Sequence, residues 1–313
     1  MDGARGGPLR LLAVDAGCTL GALVAGALGD AALAEEVIVR GGAWIGRERV
    51  QDAAQPVPAG SQLTISRPPT GRYEELALDP AWIIYEDADL LALDKPAGVY
   101  VEMTPWSIGG NLRAALAEFL AQRDSVEPAL HLVHRLDRDT SGVLLFSKNP
   151  ELNAALQRSF AERAAHKEYM ALCAGEPAES VFELATGHGR AAQGLFRVYP
   201  ADEIGRQLPE RGGVVKPMAT RFAVERRLGD VALVRAFPLT GRTHQIRLHL
   251  AHIGHPLLGD ARYGGPAHWR GAMLPGHLLH AELLRLPHPR GGAPLELRAP
   301  APAWATGAGA PGG

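Results

Sequence analysis

The sequence predicts an α+β fold, and three observations carry that expectation. Short β-patterned runs recur at residues 82–85, 90–93, 143–146, 166–175 and 278–286. Helical patterns stand among them at 112–123, from 149 to about 163, and at 244–253. Residues 219–239 read as a hairpin turning at Gly229 and Asp230. Strands interleaved with two or three helices fit the α+β class.

A chain of 313 residues, 46% hydrophobic and 21% charged, is ordinary globular material able to bury a large core. One large domain with a smaller one is the natural expectation for that length. Two cysteines, Cys18 and Cys173, form neither a disulfide framework nor a metal-ligand spacing, which points to a reducing compartment. The net charge of −2 argues against indiscriminate nucleic-acid binding. Its distribution says more. Residues 1–130 hold 10 Lys/Arg against 18 Asp/Glu, and residues 131–313 hold 22 against 16. Basic character therefore gathers in the second part of the chain, where a surface facing a polyanion would need it.

Taken in order, the Gly- and Arg-rich residues 1–10 are expected to fray. The run 16–29 follows Arg5 and Arg10 and precedes Ala32-Leu-Ala34, yet it is too short to span a membrane and is flanked by Asp15 and Asp30. A cytoplasmic protein is expected. Residues 11–66 read as a small module: one Ala/Leu helical stretch over 20–37, short strands within 38–45, and a turn into a strand over 57–65. The Pro/Gly-rich 66–72 is a linker. A second domain spans 75–301, with Asn111 capping the helix over 112–123 and Asn149-Pro150-Glu151 starting the next. Residues 176–217, with Gly187-His-Gly-Arg190 and Arg211-Gly-Gly213, read as long loops and short strands able to touch a phosphate backbone. Residues 302–313 read as a disordered tail.

The chain is organised around His131-Leu-Val-His-Arg-Leu-Asp-Arg-Asp-Thr-Ser-Gly-Val-Leu-Leu-Phe-Ser147. Asp137 sits in a polar turn between Arg135 and Arg138, cations that favour its ionised form. Thr140, Ser141 and Gly142 supply turn chemistry, and an apolar strand follows at once. An isolated HRLD would more simply be a solvated, salt-bridged loop. The full HRLDRDTSG string resembles the signature loop of the RluA-type pseudouridine synthases, which isomerise uridine in ribosomal and transfer RNA.

Three further stretches resemble the same family: Asp94-Lys-Pro-Ala-Gly98, the Lys-x-Tyr-x-Ala motif at 167–171, and Gly241-Arg-Thr-His-Gln-Ile-Arg247. Thr243 is the expected cap of the helix that carries Arg247. The resemblance covers roughly residues 80–300. It implies a catalytic domain with a mixed, mainly antiparallel sheet flanked by helices. The 11–66 module resembles the RNA-binding module of ribosomal protein S-four type in degenerate form, because Glu35 and Glu36 stand where positive charge would help.

The resemblance implies that Asp137 is the catalytic residue, that Arg247 pairs with it, and that Tyr169 stacks on the uracil or relays a proton. It further implies substrate contacts from His134, Arg135, Thr140, Arg242, His244 and Gln245. The implied substrate is structured RNA, with ribosomal RNA favoured and transfer RNA second, and a monomer is favoured. No cofactor is expected, because the isomerisation is redox-neutral. No metal is expected, because His244, His249, His252 and His255 do not converge on one helix face. The competing readings are a non-catalytic RNA-binding relative and a carboxylate-dependent glycoside hydrolase with Asp139 or Asp260 as its second acid.

Overall fold

The computed structural model describes residues 8–12, 17–126, 128–191, 195–209 and 213–307. Contacts divide the chain into two units, Met1–Leu78 with Tyr100–Pro128 and Asp79–Val99 with Ala129–Gly313.

The first unit begins with β1 (Leu9–Leu12), which pairs in the sheet where fraying was expected. The single helix expected over 20–37 is two, α1 (Leu20–Leu28) and α2 (Ala31–Val39). Gly29 takes the left-handed conformation at the end of α1, and its N–H bonds to Ala25. Asp30 then accepts from the backbone of Ala32 and Leu33 at 2.9 and 3.1 Å and starts α2. Strands β2 (Ala43–Ile45), β3 (Glu48–Val50) and β4 (Gln62–Ile65) complete a four-stranded antiparallel sheet of order β1-β4-β2-β3. Leu20, Val24, Val37, Ile38, Leu63 and Ile65 form its core.

Residues 100–128 lie inside the second domain drawn from the sequence, but they fall in this first unit. Backbone and side-chain bonds explain why. Ile108 N–H bonds to Arg40 O at 2.9 Å, Trp44 Nε1 to Pro105 O at 2.8 Å and Arg49 Nη2 to Thr104 O at 2.6 Å.

In the second unit, β5 (Ile83–Glu86) and β6 (Leu90–Lys95) form an antiparallel pair. Helix α3 (Leu112–Asp124) belongs to the first unit and is capped by Asn111, whose Oδ1 accepts from Ala114 N–H at 3.1 Å. The chain continues through β7 (His131–Leu132), β8 (Ser141–Ser147), α4 (Asn153–Ala161), β9 (His166–Ala174), β10 (Val181–Arg190) and β11 (Phe196–Tyr199). It closes with β12 (Lys216–Arg227), β13 (Val231–Pro238), α5 (Gln245–His252), β14 (His268–Trp269), β15 (Ala272–Met273), β16 (Leu279–Leu286), β17 (Leu295–Arg298) and α6 (Ala303–Thr306).

Among the described residues the main sheet has the order β11-β10-β12-β13-β9-β16-β8-β6-β5, with β17 on β16 and β7 on β8. The β16–β8 junction is parallel and the other pairings are antiparallel, so the sheet is mixed and mainly antiparallel. Gly142 makes that junction fit. Its φ is 104°, and a Cβ there would lie 2.2 Å from Ala281 O.

Two expectations need correction. Where long loops and short strands are expected over 176–217, Gly187-His-Gly-Arg190 lies within the ten-residue strand β10. Arg211 and Gly212 lie outside the described residues. The tail is ordered as far as Gly307, because Trp304 and Ala305 are buried against Leu172 and Leu233 and Arg226 Nη2 donates to Ala305 O. Residues 308–313 lie outside the described residues.

Candidate active site

The turn that carries Asp137 lies between β7 and the start of β8 and is closed by Thr140 N–H on Asp137 O at 3.2 Å. Lys95, at the end of β6 and fully buried, holds it from below. Its ammonium donates to Pro96 O, Arg138 O and Thr140 O at 2.8, 2.7 and 2.8 Å. Burial pushes Lys95 down to about 7, while Asp139 and Asp137 act in the opposite direction. Three carbonyl acceptors match the three N–H donors of the charged form, so the geometry itself favours ammonium. Thr140 Oγ1 meets His277 Nε2 at 2.8 Å, which uses its hydroxyl inside the protein.

Arg247 projects from α5. Its Nη1 donates to Asp137 Oδ2 at 2.8 Å, and its Nε and Nη2 donate to Asp260 at 2.7 and 2.9 Å. Arg247 is 7% exposed and Asp260 2%. A fork gripped on two of its nitrogens has one remaining orientation, which aims Nη1 at Asp137. Burial opposes the charge on Arg247, but Asp260 and then Asp137 raise it above the ordinary arginine value.

Burial also opposes ionisation of Asp137. His244, Arg247 and His277 outweigh it and hold the carboxyl below the usual aspartate value. His244 and His277 are themselves lowered to about 4 by burial, so both rings are neutral at pH 7. Arg247 is therefore the cation that acts at neutral pH. The Asp137 side chain keeps 25% exposure, enough for a substrate atom to reach an ionised oxygen.

His244 Nε2 stands 3.8 Å from Asp137 Oδ2, and its Nδ1 meets Tyr263 Oη at 2.7 Å. The Tyr263 ring in turn lies 5.1 Å from the Arg247 guanidinium carbon. Tyr169 sits on β9, partly buried beside the core of Ala171, Val234 and Ile246. Burial and the Asp137 charge raise its hydroxyl above the usual tyrosine value, so it is a proton donor at pH 7.

Other residues singled out from the sequence divide between exposed and inward-facing positions. Arg135 is exposed and Arg242 half-buried, with Arg242 Nε on Pro217 O at 2.9 Å. His134 turns inward, accepting from Leu145 N–H at 3.2 Å and stacking on Phe160. Burial and then Lys167 lower it to about 3. Gln245 is 5% exposed and fully occupied. Its Oε1 accepts from Thr240 and Arg242 at 2.7 and 2.9 Å, and its Nε2 donates to Ala219 and Thr220 at 2.8 and 2.9 Å. Gln245 thus braces the start of α5, which carries Arg247, and Thr140 the turn that carries Asp137.

Thr243 does not cap α5. That position falls to His244 at φ 58°, without a side-chain cap bond. Of the other histidines, His249 bonds to Thr220 and Thr186, and His255 bonds to Ala174 O.

Asp260, Tyr263 and His277 complete the arrangement and were not assigned roles in it from the sequence. By sequence alone Asp260 is a candidate second acid for glycoside hydrolysis. With both oxygens held by Arg247 it is instead the fixed counter-charge. Asp139 is paired with Arg138 at 3.1 Å.

The RNA pseudouridylate synthase family model matches residues 89–252, which include Asp137, Tyr169 and Arg247. RNA pseudouridine synthase 1 of Oryza sativa subsp. japonica is 36% identical over 287 residues, covering 80% of this chain and 81% of its own. The chain belongs to the RluA-type RNA pseudouridine synthases. This synthase is also 32% identical over 280 residues to ribosomal large subunit pseudouridine synthase C of Escherichia coli K12, covering 84% of this chain and 82% of that one. Among solved structures, human RNA pseudouridylate synthase domain containing 1 aligns with a TM-score of 0.55 at 28% identity, over 71% of the synthase and 85% of the human chain. The synthase is thus an isomerase that modifies RNA, converting uridine to pseudouridine.

Proposed function

We propose that this synthase isomerises a uridine of ribosomal RNA, with transfer RNA the second candidate, and that Asp137 is its essential group. The observation that supports this reading best is the single hydrogen bond from Arg247 to Asp137, aimed by the two bonds from Arg247 to Asp260. It keeps a reachable carboxylate ionised in a low-dielectric site, which is what a nucleophile or base at the sugar requires.

The reaction breaks the N1–C1′ bond, rotates the uracil and joins C5 to C1′, with the C5 proton removed and N1 protonated. A stacked uridine leaves no room for that rotation, so the nucleotide is flipped out of its stack to reach Asp137. Asp137 attacks C1′ or removes the C2′ proton. Tyr169 lies under the base and relays a proton, its hydroxyl giving its own proton on towards N1 as it takes the one leaving C5, and Arg135, exposed in the loop, braces the space left by the flipped base. His244 and Arg242 line the approach.

The preference for ribosomal RNA draws on the Escherichia coli relative, named for the large ribosomal subunit. The first unit reads as a degenerate docking module, since Glu35 and Glu36 are exposed on α2. The protein acts in the cytoplasm as a monomer in this reading. Carbodiimide-adduct primer extension on unmodified ribosomal and transfer RNA transcripts tests the proposal. A new stop in a ribosomal transcript supports it. A stop confined to transfer RNA would move the substrate, and repeating the assay on RNA from cells lacking the protein fixes the native site.

A further inference from the structure

The loop between α5 and β14 sets two groups against Asp137. Asp260, within it, aims Arg247. Tyr263 holds His244, its Oη meeting Nδ1 at 2.7 Å. One turn ties the two together, with Tyr263 N–H on Asp260 O at 3.1 Å and Gly265 N–H on the same carbonyl at 2.8 Å. A Cβ at Gly265 would lie 1.9 Å from Leu257 O, so the loop closes tightly on itself. His244 is also fixed through its backbone, whose φ of 58° starts α5 in the left-handed region.

The two ring nitrogens of His244 have different neighbours. The neutral imidazole carries one N–H. Nε2 faces Asp137 Oδ2 at 3.8 Å, beyond hydrogen-bond reach, and has no partner among the described residues. A lone pair on Nε2 would oppose the ionised carboxylate, whereas an N–H there is attracted to it. Tyr263 settles the choice, because burial keeps its phenol protonated and its O–H donates to Nδ1. The hydrogen of His244 therefore sits on Nε2.

Asp137 has two distinct oxygens. Oδ2 takes the bond from Arg247, while Oδ1 accepts from none of the described residues and is left to act at the sugar. An oxygen about 2.8 Å from both Nε2 and Oδ2 fits the gap between them. It must accept from the first and donate to the second, as a hydroxyl does. The 3′ and 5′ oxygens of a nucleotide within RNA are esterified, so the 2′-hydroxyl is the one such group on the sugar. It is bonded to C2′ and neighbours C1′, the two atoms at which Asp137 acts.

We infer that His244 donates through Nε2–H to the 2′-oxygen of the target uridine, that Tyr263 is the positioning residue that fixes this donor, and that the pair makes the site prefer ribose to deoxyribose. The inference rests on the proposed role of Asp137 at the sugar.

The test follows single-turnover conversion of a synthetic RNA that carries the target uridine, taken from whichever transcript the wild type modifies. The same RNA with 2′-deoxyuridine at that position is run beside it. The ratio of the two rates is compared in wild type, His244→Asn, Tyr263→Phe and, as a surface control, Arg285→Gln. Asn tolerates the left-handed backbone but is too short to set a donor at the Nε2 position. Any intrinsic effect of the missing hydroxyl is common to every protein compared and cancels. The ribose preference should fall roughly 10-fold in His244→Asn and in Tyr263→Phe, the size of one hydrogen bond's contribution, and should stay unchanged in Arg285→Gln. Nitrogen NMR of isotope-labelled histidine reads the tautomer directly. His244, assigned by the signal lost in His244→Asn, should be protonated on Nε2 in wild type and should lose that bias in Tyr263→Phe. A folded His244→Asn with wild-type ribose preference, or a wild-type His244 protonated on Nδ1, would overturn the inference. Turnover of the ribose substrate by Asp137→Asn would instead count against the proposed function, while the ratios still decide the role of His244.

Discussion

Arg247 grips both oxygens of Asp260, at 2.7 and 2.9 Å, and this pairing decides where its third donor points. The remaining nitrogen meets Asp137 at 2.8 Å. One cation between two carboxylates keeps Asp137 charged without leaving Arg247 free to rotate away.

Asp260→Asn keeps the shape but removes the buried counter-charge. Breaking a buried pair on one side costs about 3–5 kcal/mol, so thermal melting should show a marked loss of stability. Misaiming Arg247 should lower kcat by roughly 100-fold in single-turnover assays. A variant with wild-type kcat would show that Asp260 does not set the orientation of Arg247.

Lys95→Met should loosen the catalytic turn, because three carbonyls lose their shared donor. Stability should fall by about 3 kcal/mol, lowering Tm by roughly 6–12 °C. Turnover should fall as well, since two of those carbonyls belong to Arg138 and Thr140 on either side of Asp139. Unchanged turnover at a temperature where the variant is folded would separate Lys95 from the placement of Asp137.

Tyr169→Phe keeps the ring and removes the hydroxyl. If the hydroxyl serves the proton transfer, kcat should drop about 100-fold or more while RNA affinity stays within a few-fold. Tyr169→Ala should also weaken binding, through loss of the stacking face. A Phe variant as fast as wild type would leave stacking as the sole role.

Acid should destabilise the fold well above the carboxylate range. His249, His277 and His280 are at most 4% exposed, and burial lowers each from 6.5 to about 4. Their folded forms are neutral where the unfolded chain binds protons, so stability is present above pH 6.5 and is lost as pH falls towards 4. At pH 5 the loss is about 1–2 kcal/mol per histidine. Asp137, lowered below 3.8, adds its own loss only in more acid solution. Thermal melts at pH 7.5, 6 and 5 should show a falling Tm, and a flat profile would contradict these histidine environments.

Much of this was legible in the sequence where local chemistry and tertiary structure agree. The apolar run after Gly142 reads as a buried strand and Gly229-Asp230 as a hairpin turn, and the structure has both. The Asp137–Arg247 pairing was legible because both residues lie in long motifs. The roles of Asp260, Tyr263 and His277 were not, since each depends on contacts made from loops far along the chain. The Asp260 signal was present in Gly259-Asp260 but carried no direction. The length of β10 was hidden because the Gly-rich 176–217 reads as loops and short strands, while the reason for its two glycines, the approach of Tyr199, Leu208 and Val215, is tertiary. The break at Gly29-Asp30 was visible as a cap pair and was overridden by the Ala/Leu pattern around it. The tail looked disordered by composition, but Trp304 finds a buried site that composition does not show.

The central claim is that Asp137 is the essential group, and pseudouridine formation by Asp137→Asn beside wild type tests it most directly. Both proteins would be assayed on the same ribosomal transcript, with RNA affinity measured in parallel. The account predicts no turnover by the Asn variant and an affinity within a few-fold of wild type. Substantial pseudouridine formation by a correctly folded Asp137→Asn would contradict it.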